Sequence, residues 1–217
     1  TIYLHNNMLE YGHTYYVTID NGVLNLADGS FQGVTKEDEW IFTTKSDMPE
    51  LSDTLIVDAT GKGDFNTVQG ALDFIPDFNE RQTVILVNPG DYEELVYTRN
   101  KWHVKIKGAG MADTKVHYAN NEVFNPHPLT VKTNEWPGTF PSRRAAFMLD
   151  NCKDIVIEDM TIATDLKGQA EGLLINGERI ALYRVHIIGS GDALQANGTI
   201  YMESCELDGG GDTILGR

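Results

Sequence analysis

Ile180-Ala-Leu-Tyr-Arg-Val-His-Ile187 leading to Gly189-Ser-Gly-Asp192-Ala-Leu194, and Ile200-Tyr-Met-Glu-Ser-Cys-Glu-Leu207 leading to Gly209-Gly-Gly-Asp212-Thr-Ile214, are two copies of one pattern. Each is an eight-residue strand-like run, a glycine-rich turn, and an aspartate 12 positions beyond the start of the run, so the two aspartates stand 20 residues apart. Neighbouring coils of a solenoid produce equal offsets of this kind. Equivalent positions then stack one strand spacing apart, about 4.8 Å, on a single face, and two carboxylates share one site. At about 5 Å and an effective dielectric of about 20, two unit charges repel by roughly 3 kcal/mol, enough to move a pKa by about two. One of the pair is therefore expected to resist ionisation near neutral pH unless a cation intervenes, leaving one carboxylate to attack or accept a proton and one acid to donate. Taken alone, Gly-x-Gly-Asp is also ordinary turn chemistry, because glycine reaches positive φ and aspartate caps turns. A calcium-binding glycine-aspartate repeat needs many nine-residue copies, whereas this chain has two at a spacing of 20.

Working outward, further strand-like runs occupy Val84–Val87, Val104–Lys107 and the stretch from Ile155, each bounded by turn residues. Runs recurring every 20 to 25 residues with no helix between them favour a parallel β-helix over a sandwich. After Gly61-Lys-Gly63, the apolar positions Phe65, Val68, Leu72 and Ile75 recur at helical spacing, with Asp64 placed to cap and Pro76 to stop. This predicts a short helix over 65–75 that covers the first coil. Residues 119–145, rich in Asn, Pro and Thr, are expected to form a long loop at the groove.

Residues 1–45 read as antiparallel β, with Tyr15–Ile19 alternating and Trp40–Thr44 a second strand, and 46–53 as a linker. The pattern Tyr15-x-Val17-x-Ile19-x-x-Gly22-Val23, Asp28-Gly29-x-Phe31-x-Gly33 and Trp40-x-Phe42-Thr-Thr44 resembles the second half of bacterial immunoglobulin-like modules. The resemblance implies the last strands of a β-sandwich. The chain starts at Thr1 and stops just after the second aspartate turn, so it is expected to be a fragment of a longer protein.

A net charge of −15 over 217 residues speaks against nucleic-acid binding, which needs a basic face. No apolar run approaches the roughly 20 residues that span a bilayer. Cys152 and Cys205 form no disulfide framework and are expected to fill core positions as free thiols. His103, His117, His127 and His186 show no metal-ligand spacing.

The strings Asp64-Phe-x-Thr-Val68-Gln-x-Ala71, Pro89-Gly-x-Tyr92-x-Glu94-x-Val96, Gly108-x-Gly110-x-x-x-Thr114, Gln169-Ala-x-x-Leu173, Ile180-Ala-Leu-Tyr-Arg184, Gly189-x-x-Asp192-x-Leu194 and Gly211-Asp-x-Ile214-x-Gly216 resemble, in order, those of pectin methylesterases. The resemblance covers roughly residues 56–217, within a unit expected to span 54–217, and implies a right-handed parallel β-helix that hydrolyses galacturonate methyl esters in pectin without metal or cofactor. It implies further that Asp212 is the nucleophile, that Asp192 is the acid/base, and that Gln169 is an amide donor to the tetrahedral oxyanion. Tyr92 and Glu94 would line the substrate groove, although after a Pro-Gly turn such residues also serve packing and capping. The family's second glutamine, directly before the acid/base, is Gly191 here. A backbone N–H of that turn or Gln195 is the expected substitute. The family's arginine and aromatic residues beyond the nucleophile fall past the end of this chain, so this stretch alone is expected to be a weak or inactive catalyst.

Arg143-Arg144 reads as a solvated pair, or as a contact for free carboxylates of pectin. Trp102 and Trp136 are candidates for stacking on sugars. The resemblance also implies a secreted or surface-bound bacterial protein that works as a monomer. Competing functions are a thioesterase-like hydrolase on the same fold, a non-catalytic carbohydrate-binding β-helix, and a polysaccharide lyase, which would need a calcium-organised acidic cluster.

Overall fold

Alternation of inward aliphatic and outward polar residues builds the larger part of this molecule as stacked strands. The computed structural model describes residues 9–27, 29–50, 52–121 and 144–216. The chain divides into two compact units, Thr1–Glu50 and Leu51–Arg217. Of the sequence features named above, most of the groove loop, His127, Trp136 and Arg143 lie outside the described residues.

In the first unit β1 (Thr14–Tyr16) pairs antiparallel with β2 (Ile41–Thr43). Tyr15 lies opposite Phe42, their rings stacked with centroids 5.7 Å apart. The strand is shorter than the alternation from Tyr15 to Ile19 predicts, because Ile19 leaves the ladder and bridges Val34 instead.

The second unit runs β3 (Thr54–Val57), α1 (Val68–Phe74), β4 (Thr83–Val87), β5 (Gly90–Glu93), β6 (Val96–Arg99), β7 (Trp102–Lys107), β8 (Thr114–Tyr118), β9 (Phe147–Thr164), β10 (Leu173–Ile188), β11 (Leu194–Glu203), β12 (Glu206–Asp208) and β13 (Ile214–Gly216). Among the described residues every strand pairing in this unit is parallel. The long strand β9 explains the architecture. Its first residues pair with β6, its middle with β7 and its last with β8, so one continuous strand passes over three successive faces of a coil. β10 stacks on β9 along its whole length and hands the same faces on to β11 and β12. This is a parallel β-helix.

Inside, equivalent residues stack coil upon coil. Leu55, Ile85, Ile106, Ile157 and Leu182 follow one another in register with none exposed. A second ladder carries Phe147, Leu173 and Leu194, all fully buried. Each such side chain contributes about 1.5–3 kcal/mol on removal from water. The strands turn corners through single left-handed residues that also stack: His103, Asp154 and Arg179 at φ 51°, 55° and 54°, and Asp159, Arg184 and Ser204 at φ 59°, 52° and 56°. A non-glycine residue in that region costs about 1–2 kcal/mol. Ion pairs along the corners offset it: Arg179 bonds Asp154 in a two-pronged contact at 2.6 and 2.7 Å, and Arg184 Nε donates to Asp159 at 2.6 Å. Both aspartate carboxyls are held below their ordinary value by those arginines.

The helix begins at Val68 rather than Phe65, because Phe65 is drawn into a bridge with Val57. Thr67 is its N-cap, accepting from the Gly70 amide, while the carboxylate of Asp64 accepts from the Ile56 amide. Val68, Ala71, Leu72 and Ile75 close the end of the solenoid core.

Tyr92 and Glu94 do not line a groove. Tyr92 is buried, with its hydroxyl donating to the Asn88 carbonyl at 2.8 Å. Glu94, also buried, accepts from the Val68 and Gln69 amides, both at 2.8 Å, and so satisfies the first turn of α1. Both are structural because the Pro-Gly turn delivers them inward, under the helix. Glu94→Ala leaves one buried and one half-buried amide without acceptors, and stability is expected to fall by about 3 kcal/mol, lowering Tm by roughly 6–12 °C. Burial raises the Glu94 carboxyl above its ordinary 4.5. Its stabilising contribution is thus complete below 4.5 and declines as pH rises through the raised value. The loss on substitution should therefore be larger in mildly acid than in alkaline thermal melts, and a loss that grew with pH would contradict the assignment.

Candidate active site

Three turns stack at one corner of the solenoid: 168–172, 189–193 and 209–213. The register of β10 on β11 sets Leu173 beside Leu194, and that of β11 on β13 sets Leu194 beside Ile214. Counting back two residues along the chain, Glu171, Asp192 and Asp212 occupy equivalent places on consecutive coils. Backbone bonds tie the turns together. The Ser190 and Gly191 amides donate to Ala170 O at 2.9 and 3.1 Å, and the Ala193 amide donates to Asp212 O at 3.3 Å.

Asp192 is 8 % exposed, and its Oδ1 accepts from the Asp212 amide at 3.0 Å. Asp212 is exposed, as is Gln169 on the coil before. The two aspartates that the repeat spacing singles out thus meet, with one anchored and the other open to solvent.

Two charged residues join them that the sequence reading did not place here. Arg144 is no solvated surface residue. Its Nε donates to Glu171 Oε1 at 2.6 Å, and its Nη2 lies 2.5 Å from the same oxygen and 3.8 Å from Asp192 Oδ2. Glu171 is fully buried, its Oε2 has no hydrogen-bond partner, and burial raises its carboxyl above the ordinary value against the lowering effect of Arg144. A signal for Glu171 existed. It stands 21 residues before Asp192, and both are followed by a small residue and Leu.

Four amides of the glycine turns are already bonded within the fold. The amides of Gly189, Ser190, Gly191 and Gly211 are committed to Asp208 O, Ala170 O, Ala170 O and Gly191 O. Gly191 also packs tightly, since a Cβ there would lie 3.1 Å from Gly168 O and 3.2 Å from Ala170 N. Gln195 is different. It is buried with Oε1 unpartnered, on the sheet face that carries Leu174, its register partner, and Met148.

The model of the pectinesterase family matches residues 54–217. The chain belongs to the pectinesterase family. Pectinesterase QRT1 of Arabidopsis thaliana is 27 % identical over 195 residues, an alignment that covers 85 % of this chain and 50 % of the relative. Among solved structures, the pectin methylesterase of Aspergillus niger superposes with a TM-score of 0.63 at 18 % identity over 78 % of this chain and 55 % of its own. The pectin methylesterase PemA of Erwinia chrysanthemi gives 0.52 at 18 % identity over 70 % of this chain and 48 % of its own. These likenesses establish the β-helix. The chain spans about half the length of the curated relatives it matches.

Elsewhere the histidines of this pectinesterase-family chain pair with carboxylates: His186 with Asp208, His103 with Asp154, and His117 with Asp91 and Asp165. Among the described residues no group of three or more His, Cys, Asp or Glu is arranged to hold a metal ion. Cys152 and Cys205 are free thiols, and burial pushes Cys152 up to about 11. Trp102 packs edge-on against Phe78 with Lys153 over its ring.

Proposed function

We propose that the protein hydrolyses methyl esters of galacturonate in pectin and releases methanol. The observation that carries this reading is the stacking of an exposed Asp212 on an anchored Asp192 in a chain of the pectinesterase family. Asp212, open to solvent, attacks the ester carbonyl. Asp192 gives its proton to the departing methoxide oxygen, so that methanol leaves as a neutral molecule and an acyl-enzyme remains. The Asp192 carboxylate then takes a proton from water as the water attacks the acyl carbon, which restores both aspartates. Gln169, exposed on the preceding coil, is the amide donor to the oxyanion. Gln195, on the sheet face of Leu174 and Met148, is the side chain whose NH2 substitutes for the donor that Gly191 lacks. On this reading the partner is an extracellular polysaccharide. No helix among the described residues is long and apolar enough to cross a membrane.

The test is methanol release from highly methylated pectin by the protein extended to the length of its relatives, run beside demethylated pectin and an acyl thioester. Methanol from the methylated polymer alone is the expected result. Thioester turnover without methanol would replace this function with the thioesterase reading, and pectin binding without turnover of either would replace it with the carbohydrate-binding one.

A further inference from the structure

Asp192 is flanked by charge on both neighbouring coils. Glu171 precedes it and Asp212 follows it in the stack, and among the described contacts the cation that reaches it is Arg144. Both oxygens of Asp192 face fixed positive partners: Oδ1 the Asp212 amide at 3.0 Å, Oδ2 the Arg144 guanidinium at 3.8 Å. Arg144 in turn is aimed by Glu171, which takes its Nε and Nη2 on a single oxygen. The guanidinium side chain is 15 % exposed and the Glu171 side chain 0 %, so solvent screens this arrangement little.

We propose that Arg144 is a positioning residue for the carboxylate of Asp192, and that Glu171 is the clamp that aims it. The inference rests on the esterase reading for its catalytic meaning. When Asp192 donates its proton to the methoxide oxygen, the O–H bond of its carboxyl breaks and a negative charge appears between two other acidic side chains. Arg144 is the group placed to receive that charge. Two buried ionic partners of equal and opposite charge on one oxygen could equally be a static strut, and the two roles differ in what the charge of Arg144 does to Asp192.

The charge is isolated by comparing Glu171→Gln with the double variant Arg144→Met/Glu171→Gln. Removing Arg144 alone leaves Glu171 as a buried uncompensated carboxylate, which destabilises strongly. Retaining glutamine at 171 avoids this. In the whole protein, kcat and KM for methanol release are measured for both variants and for Arg144→Lys/Glu171→Gln, beside a thermal melt of each. With the guanidinium receiving the charge that forms on Asp192, kcat is expected to be about tenfold lower in the double variant than in Glu171→Gln with KM within about twofold, and Arg144→Lys/Glu171→Gln should recover part of the loss. Equal kcat in two folded variants would reduce the pair to a strut and overturn the proposal. No methanol from the parent protein would overturn the esterase reading and, with it, the catalytic meaning of Arg144.

Discussion

Asp212→Asn is expected to lower methanol release at saturating pectin by about 10,000-fold or more, while Tm stays close to that of the parent. A factor of that size corresponds to about 5.4 kcal/mol of transition-state stabilisation. Asparagine has the size of aspartate, and the bond from the residue 212 amide to Asp192 Oδ1 involves backbone and survives the change. What disappears is the anionic oxygen that forms the acyl-enzyme, and a carboxamide does not replace it as a nucleophile. Position 212 is exposed, so the expected change in stability is within about 0.5 kcal/mol. Asp192→Asn should lower the rate by a smaller factor, about 100- to 10,000-fold, because it removes a proton carrier and leaves the attacking group in place. A variant at 212 that retained a tenth of the parental rate would move the nucleophile elsewhere on the chain.

Phe147→Ala should give the largest loss of stability from a single side chain, about 4 kcal/mol, with Tm lowered by roughly 8–16 °C. Phe147 is fully buried and sits between Val96 of β6 and Leu173 of β10 in the inward ladder. Parallel strands fix the spacing of its neighbours through backbone hydrogen bonds, so the coils cannot close over the vacated volume. Well below the melting temperature, methanol release should change little. A denaturant midpoint shifted by the equivalent of less than about 1 kcal/mol would mean that this interior relaxes far more freely than close-packed proteins do.

The parallel β-helix and the meeting of the two aspartates were legible because both depend on period. Ile180 to Ile200 and Leu194 to Ile214 are each 20 residues, and a constant step is visible in a bare sequence. The step is not constant further up the chain. Phe147 to Leu173 is 26 residues and Ile155 to Ile180 is 25, so alignment by offset alone does not carry Arg144 to Asp192. Glu171 was readable by offset, since it lies 21 residues before Asp192, but a glutamate in a turn between strands reads as solvated until its burial is known. Tyr92 and Glu94 were ambiguous for a related reason. A Pro-Gly turn fixes that the chain reverses, and which side of it the helix occupies is decided by Val68, Ala71 and Leu72 packing on the end of the core. Asp64 and Phe65 looked helical by spacing, yet Phe65 gains more as a bridge to Val57, where the ladder supplies hydrogen bonds that an unformed first turn does not.

The stacked left-handed corners carry a further consequence. At one of them Arg179 of the β10 coil holds Asp154 of the β9 coil, with the His103 ring against the same carboxylate, and at the other Arg184 holds Asp159, which Lys107 also approaches from beside Gly108. At both corners an arginine of the β10 coil thus meets an aspartate of the β9 coil. A chain that slipped by one coil during folding, skipping β9 to lay β10 directly on β7, would set Arg179 at His103 and Arg184 at Gly108, and neither arginine would meet its aspartate. The corners thus act as an address on each coil, one that the nearly interchangeable aliphatic interior does not provide.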